Sequence, residues 1–156
     1  MDFDFLSPVD ETLVEGISSL NEKTLGANLK IHTAGEGFPD LQNVQVAVIG
    51  VAENRLAQNY QPEPLNFNEL RSAFYGLYPG NWHLNIADLG DIEEGASVED
   101  TYFALQNLIS HLIKNKVIPV ILGGSQDLIY AQYRAYDNLE QMVNLVNIDS
   151  KFDLGD

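Results

Sequence analysis

The 156-residue chain contains no cysteine, which excludes disulfide bonds and thiolate metal sites. The lack of thiols fits the reducing cytoplasm, and we expect a cytoplasmic protein. No apolar run reaches the roughly 18 residues that a membrane-spanning helix needs. The first residues are acidic and lack the basic segment with which a secretory signal peptide begins. The sequence therefore predicts neither a disulfide-stabilised nor a membrane-inserted chain.

Basic residues are scarce: 8 Lys and Arg stand against 23 Asp and Glu, for a formal net charge of −15. This balance argues against nucleic acid and anionic membranes as partners, because both need a basic surface. Solubility is the simplest explanation of the charge, and an acidic docking surface is the alternative. Hydrophobic residues make up 45% of the chain, which is typical of a soluble globular protein.

Four short apolar runs, each followed by polar residues, predict the strands of a parallel sheet. They cover residues 44–51, 83–89, 117–122 and 143–148, and helix-like segments separate them. Strands joined by helical crossovers pair in parallel and carry helices on both faces. The expected fold is therefore α/β: a three-layer sandwich with a mostly parallel sheet and about four strands in this chain.

The chain reads as one domain of residues 1–156, in which residues 1–43 form an N-terminal extension of helix and loop. Ser7 and Pro8 have the residue types of a helix cap and first turn, and that helix is expected to end near Asn21. The last predicted strand has no closing helix, although a buried parallel strand needs cover on both faces. We expect either another polypeptide to cover it or the chain to be the front part of a larger domain.

Polar clusters follow the last two predicted strands, and ligands of open α/β sheets bind at the carboxyl ends of strands. Residues 123–127 read Gly-Gly-Ser-Gln-Asp, and the glycines permit a sharp turn that places Gln126 at the start of a helix. Asp149, Lys151 and Asp153 are spaced so that extended backbone puts all three on one side. Two converging carboxylates suit a hard divalent cation such as Mn²⁺ or Mg²⁺.

These motifs resemble those of the ureohydrolases, which include arginase, agmatinase and formimidoylglutamase. Residues 122–127 are similar to the family's Gly-Gly-Asp-His-Ser turn, and residues 147–153 to its Asp-Ala-His-x-Asp turn. Residues 46–51 and 87–91 also resemble the family's first two strands. The resemblance implies an arginase-like fold and two Mn²⁺ ions whose bridging hydroxide attacks a guanidino or formimino carbon. The expected partner, which would cover the last predicted strand, is a second copy in a homo-oligomer or the remaining half of the domain.

The chain departs from the family pattern at two ligand positions. Gln126 and Lys151 stand where the family has metal-binding histidines, whereas Asp149 and Asp153 match ligand aspartates. A protonated lysine only donates hydrogen bonds and cannot bind a metal. The ligand set that the resemblance leaves is Asp149, Asp153 and Gln126, for a single Mg²⁺ or Mn²⁺ or for no metal.

Two residues are candidates for binding a substrate. Arg55 lies in the loop after the first strong strand, where its guanidinium could bind a carboxylate, although a solvated arginine is the simpler explanation. Lys151 lies between two aspartates and could replace the charge of a metal. No residue is assigned as catalytic.

Two functions remain open on the sequence alone, and they leave open whether the protein is an enzyme. The first is a formimidoylglutamase- or arginase-like hydrolase of C–N bonds in linear amidines, which uses metal-activated water. The second is a metal-deficient, non-catalytic binding or interaction module of ureohydrolase fold. In that case Lys151 would neutralise Asp149 and Asp153, and the site would bind a small polar, guanidino or formimino ligand or a partner subunit.

Overall fold

The computed structural model describes residues 3–57 and 65–149, which form one mixed sheet and four α-helices. The strands are β1 (Leu6–Ser7), β2 (Lys30–Ile31), β3 (Val46–Val51), β4 (Ile86–Ile92) and β5 (Ile118–Leu122). The helices are α1 (Glu11–Ile17), α2 (Asn68–Tyr75), α3 (Val98–Lys114) and α4 (Leu128–Asp137), and a short 3-10 helix covers Gly26–Asn28. The expected α/β class with a mostly parallel sheet is confirmed.

The three long strands form the centre of the sheet in the order β4-β3-β5, and both pairings are parallel. β3 lies in the middle and is buried almost along its whole length, as its continuous apolar sequence predicts. Leu105, Leu108 and Leu112 of α3 are fully buried in the same core. Each such side chain stabilises the fold by about 1.5–3 kcal/mol through its removal from water.

Helix α3 begins at a capping box, which fixes its first turn beside the end of the sheet. The Ser97 hydroxyl accepts a hydrogen bond from the Asp100 backbone, and the Asp100 carboxylate accepts one from the Ser97 backbone. These bonds satisfy two backbone donors that a helix start would otherwise leave unpaired. None of the helices within the described ranges is both long and apolar enough to cross a bilayer.

The predicted helix start at Ser7 is wrong. Ser7 belongs to strand β1, which pairs antiparallel with β4 so that Leu6 lies opposite Ile92 and becomes buried. The helix begins at Glu11, because Asp10 is the residue whose carboxylate accepts the Thr12 N–H, at 2.8 Å. It ends at Ile17 rather than near Asn21.

The fourth predicted strand is also wrong: residues 143–149 are irregular and exposed. Val146 and Ile148 leave 80% and 95% of their surface accessible. An apolar run becomes a strand only when a neighbouring strand accepts its backbone hydrogen bonds. Within the described residues, β5 pairs only with β3, so this run has no such neighbour.

The two edges of the sheet differ. The N-terminal extension closes the outer edge of β4, where β2 pairs with its first half and β1 with its second half. Gly90, with φ +81°, permits this contact, because a Cβ there would lie 2.0 Å from the Ser7 carbonyl oxygen. The outer edge of β5 has no such cover among the described residues, and 63% of Ile118 is exposed.

Candidate functional site

Glu53 follows β3 at the carboxyl end of the sheet and is fully buried. Its carboxylate accepts hydrogen bonds from the Thr101 hydroxyl at 2.9 Å and from Arg55 Nε at 3.0 Å, and a second bond comes from Arg55 Nη2. Its backbone carbonyl accepts the Ser125 N–H at 2.8 Å. One residue therefore connects the end of β3, the first turns of α3 and the turn after β5.

The electrostatics of Glu53 follow from these partners. Burial alone would raise the pKa of its carboxyl, because it disfavours the charged form. The hydrogen bonds from Arg55 and Thr101, with the Arg55 charge, outweigh burial, so the pKa lies below its usual value of 4.5. The sequence reading missed Glu53, although a carboxylate just after a buried strand with an arginine two residues later was a usable signal.

The turn after β5 depends on two glycines in the left-handed region. Gly123 and Gly124 have φ values of +71° and +80°. A Cβ on Gly123 would lie 2.2 Å from the Phe67 ring, and one on Gly124 would lie 2.1 Å from Leu128 Cδ1. Any other residue would be strained and would clash, so the predicted role of the glycine pair in a sharp turn is confirmed.

This turn brings two of the predicted metal-binding residues together. Gln126 Nε2 donates a hydrogen bond to Asp149 Oδ2 at 3.1 Å. The other two strand-end candidates, Lys151 and Asp153, lie outside the described residues. Across residues 3–57 and 65–149, no group of three or more His, Cys, Asp or Glu side chains could hold a metal ion.

The Gln126–Asp149 pair lacks the imidazole that the resemblance puts at this position of a manganese site. Glutamine can offer a metal only its neutral carbonyl oxygen, because its amide nitrogen is a donor and here bonds Asp149. The arrangement is a neutral donor beside an anion, which can hold a polar ligand by hydrogen bonds.

Asp127, next to Gln126, is fixed by a helix–helix contact. The Tyr102 hydroxyl on α3 donates to Asp127 Oδ2 at 2.5 Å, and the Tyr102 and Tyr130 rings lie 6.0 Å apart. Burial and the neighbouring carboxylate both raise the pKa of Tyr102, so it stays a donor at neutral pH. The start of α4, which carries the Gln126 turn, is thereby attached to α3.

A second polar cluster lies at the end of β4 and has a structural explanation. Arg71 Nε donates to Asp88 Oδ2 at 2.8 Å, its Nη1 donates to Asp91 Oδ2 at 3.0 Å, and the Tyr75 hydroxyl also donates to Asp88. Burial raises the pKa of Asp91, and the Arg71 charge opposes that rise. Because Arg71 and Asp88 are buried and paired, the cluster attaches α2 to the sheet.

Arg55, the predicted carboxylate-binding residue, lies against acidic partners. Its guanidinium pairs with Glu53, and its Nε lies 3.9 Å from Glu94 Oε2. About a quarter of its side chain remains accessible, at 26%. A role in binding a substrate stays a prediction, and a substrate carboxylate would have to share Arg55 with Glu53.

Comparisons with known proteins agree on one family. A profile of the arginase family matches residues 44–156. A formimidoylglutamase of Staphylococcus epidermidis is 34% identical over 92 residues, which are 57% of this chain and 30% of that protein. Two solved structures share the fold: Bacillus subtilis formimidoylglutamase, with a TM-score of 0.58 at 17% identity, and Trypanosoma cruzi formiminoglutamase with Mn²⁺, with 0.54 at 18%.

The matches cover only part of the related proteins. The two structural alignments cover 78% and 64% of this chain but 40% and 37% of the Bacillus and Trypanosoma chains. The chain thus spans about a third of the length of its curated relatives.

Replacing Glu53 with Gln tests its role in holding the strand ends. Because the folded-state pKa is lowered, the ionised carboxylate contributes stability that is complete above about pH 4.5 and is lost as pH falls through the folded pKa. We expect Glu53→Gln to cost about 1–3 kcal/mol at pH 7. The cost should shrink toward pH 3 in urea unfolding followed by circular dichroism.

The matched control is Glu36→Gln, at an exposed glutamate in the N-terminal extension. It should unfold like the wild type at both pH values. A cost for Glu53→Gln that is the same at pH 7 and pH 3 would contradict the assigned role of its charge.

Proposed function

This chain belongs to the arginase family, and on that premise we propose that its strand-end site binds a small polar ligand of the guanidino or formimino class without a manganese pair. The observation that carries the proposal is the hydrogen bond from Gln126 to Asp149. It occupies the place where the family resemblance put a ligand histidine and a ligand aspartate. The protein would then be a binding module of ureohydrolase fold.

The charges around the strand ends favour a cationic ligand. Asp127, Asp149 and Glu94 bring carboxylates to this end of the sheet, and the Arg55 cation is paired with buried Glu53. An ionised carboxylate has about four lone-pair sites, so one that already accepts a hydrogen bond can accept others. Guanidino and formimino groups are planar donors of the kind that carboxylates bind through paired hydrogen bonds.

Lys151 completes the proposal from the sequence. Its ammonium group, spaced two residues from both Asp149 and Asp153, would balance their charge in place of a metal ion. A lysine between two carboxylates stays protonated, because opposite charges nearby favour its charged form.

A formimidoylglutamase-like hydrolase is the second candidate. It is supported by the similarity to several bacterial proteins named formimidoylglutamase. It would need a metal-binding set other than the Gln126–Asp149 pair. It would also draw on regions of those relatives that this chain does not match.

Metal content and ligand binding separate the two functions. We expect elemental analysis of purified protein incubated with Mn²⁺ to find less than one equivalent of metal. Calorimetry should detect binding of agmatine, arginine or formiminoglutamate, and assays with added Mn²⁺ should detect no turnover. Two equivalents of manganese with turnover would sink the binding-module proposal, and so would the absence of binding by all three ligands.

The variant with Gln126→His and Lys151→His restores both family residue types and should gain Mn²⁺ affinity. A matched control with Gln141→His and Lys23→His adds two histidines elsewhere and should gain none. If both double variants bind manganese equally, the two replaced residues do not explain the missing metal site.

We also propose that a further polypeptide, either a second copy or the remaining half of a ureohydrolase domain, covers the outer edge of β5. Ile118 and Val120 of β5 expose apolar side chains, and so does the irregular segment 142–148. Such surfaces commonly mark interaction sites when they are contiguous. Parallel strands rich in aliphatic residues are usually covered on both faces.

The chain alone should therefore self-associate or bind the dye ANS, which reports exposed apolar surface. Val120→Lys should weaken both effects, whereas Leu70→Lys, at an exposed leucine on α2, should not. Sedimentation velocity and ANS fluorescence measure the outcome. A monomer that binds no dye at any concentration would show that this edge needs no cover.

A further inference from the structure

A cavity of about 980 Å³ lies at the amino ends of the central strands, at the opposite end of the sheet from the strand-end site. Its walls are residues 38–45, Asn85 before β4, and the end of α3 with the turn that follows. The volume is within the range of small-molecule sites. Residues 38–43 precede the region that the arginase-family profile matches, so part of this cavity is specific to the N-terminal extension.

Side-chain amides dominate the lining, and several are held in place. Asn85 Nδ2 donates to the Asn43 carbonyl at 3.0 Å, and the Asn85 N–H donates to Gln45 Oε1 at 3.1 Å. Asn115 Nδ2 donates to the His111 carbonyl at 2.8 Å. Each amide has donors and an acceptor, and these contacts use only part of that capacity. The cavity thus contains polar lining groups that hydrogen bonds hold in place.

An aromatic cluster forms another wall. The Phe3 ring lies 5.1 Å from Phe38 and 5.2 Å from His111, measured between centroids. Burial lowers the pKa of His111, and the Lys114 charge adds to the effect. The imidazole is therefore mainly neutral at pH 7 and can both donate and accept a hydrogen bond.

Lys116 occupies a backbone position that glycine suits better. It has φ +60° after the end of α3, where the Val117 N–H bonds the Leu112 carbonyl and the Lys116 N–H bonds the Ile113 carbonyl. This is the helix-terminating motif in which glycine usually takes the left-handed position. A lysine in the left-handed region carries backbone strain. Lys116 also lines the cavity.

Two lysines, Lys30 and Lys116, contact or form the lining of this cavity in a strongly acidic chain. Lys114 and Lys116 lie at the end of α3. Lys30 Nζ donates hydrogen bonds to the backbone carbonyls of Asp40 and Gln42, at 2.7 and 3.0 Å, and so fixes this part of the cavity lining. Asp40 is the acidic residue that lines the cavity. Among the described residues that line the cavity, Lys116 carries a positive charge and Asp40 a negative one, so Lys116 offers an anion a local partner although the net charge is −15.

We propose that the amino-end cavity binds a small metabolite that carries a carboxylate or a phosphate group. Lys116 pairs with the anionic group, since a charge-assisted bond is the strongest contact available there. The amides of Asn43, Gln45, Asn85 and Asn115 bind the remaining polar atoms of the ligand. This site stands independently of the strand-end site and its proposed ligand.

The test titrates inorganic phosphate and, separately, succinate into ¹⁵N-labelled protein and follows the side-chain amide signals of Asn43, Asn85 and Asn115. The variant Lys116→Gly removes the cation and relieves the backbone strain. The control Glu140→Gly makes the same change at the end of α4, where Glu140 has φ +54° and the Gln141 N–H bonds the Tyr136 carbonyl in the same motif. Glu140 does not line this cavity.

Both variants should melt at a higher temperature than the wild type, which shows that they fold. Lys116→Gly should weaken anion binding at least about tenfold, the loss expected for one charge-assisted hydrogen bond, while Glu140→Gly keeps wild-type affinity. A response to phosphate alone or to succinate alone supports the site and identifies the group it prefers. The proposal is overturned if neither anion shifts the three amides at millimolar concentration, or if Lys116→Gly binds as tightly as the control.

Discussion

The buried carboxylate of Glu53 is the contact on which the carboxyl end of the sheet depends. This carboxylate is shielded from water, and a buried charge is tolerated only when hydrogen-bond donors satisfy its lone pairs. Arg55 and Thr101 supply those donors, while the backbone of the same residue holds the Ser125 turn. The loop after β3, the first turns of α3 and the turn after β5 are therefore fixed relative to one another.

The central strands and their crossover helices follow from local sequence, because short apolar runs separated by helix-like segments are typical of a parallel sheet. Elements that depend on a distant partner were not predictable in this way. Ser7 reads as a helix cap, but pairing with β4 makes it a strand residue. Residues 143–148 read as a strand, yet no described neighbour accepts their hydrogen bonds. The local pattern shows which residues are apolar enough to be buried, and pairing with distant strands determines their conformation.

The candidate site was likewise predictable from the sequence only in part. The motif comparison put Gln126 and Asp149 in one ligand set, and the structure has a hydrogen bond between them, while their role as metal ligands stays a prediction. Glu53 was missed because its meaning depends on Thr101, 48 residues away in sequence. The pairing of Arg55 with Glu53 was also missed. An arginine two residues after a glutamate can extend into solvent or turn back to the glutamate, and here the burial of Glu53 favours the pairing.

The chain thus combines the fold of the arginase family with a hydrogen bond from Gln126 to Asp149, and our proposal is that this site binds a polar ligand without a manganese pair. Diffraction data collected at the manganese absorption edge, from crystals grown with excess Mn²⁺, test this most directly. We predict no pair of anomalous peaks beside Asp149 and a retained hydrogen bond from Gln126. Two peaks about 3.5–4 Å apart with Asp149 as a ligand, the spacing of a two-metal catalytic site, would contradict the account.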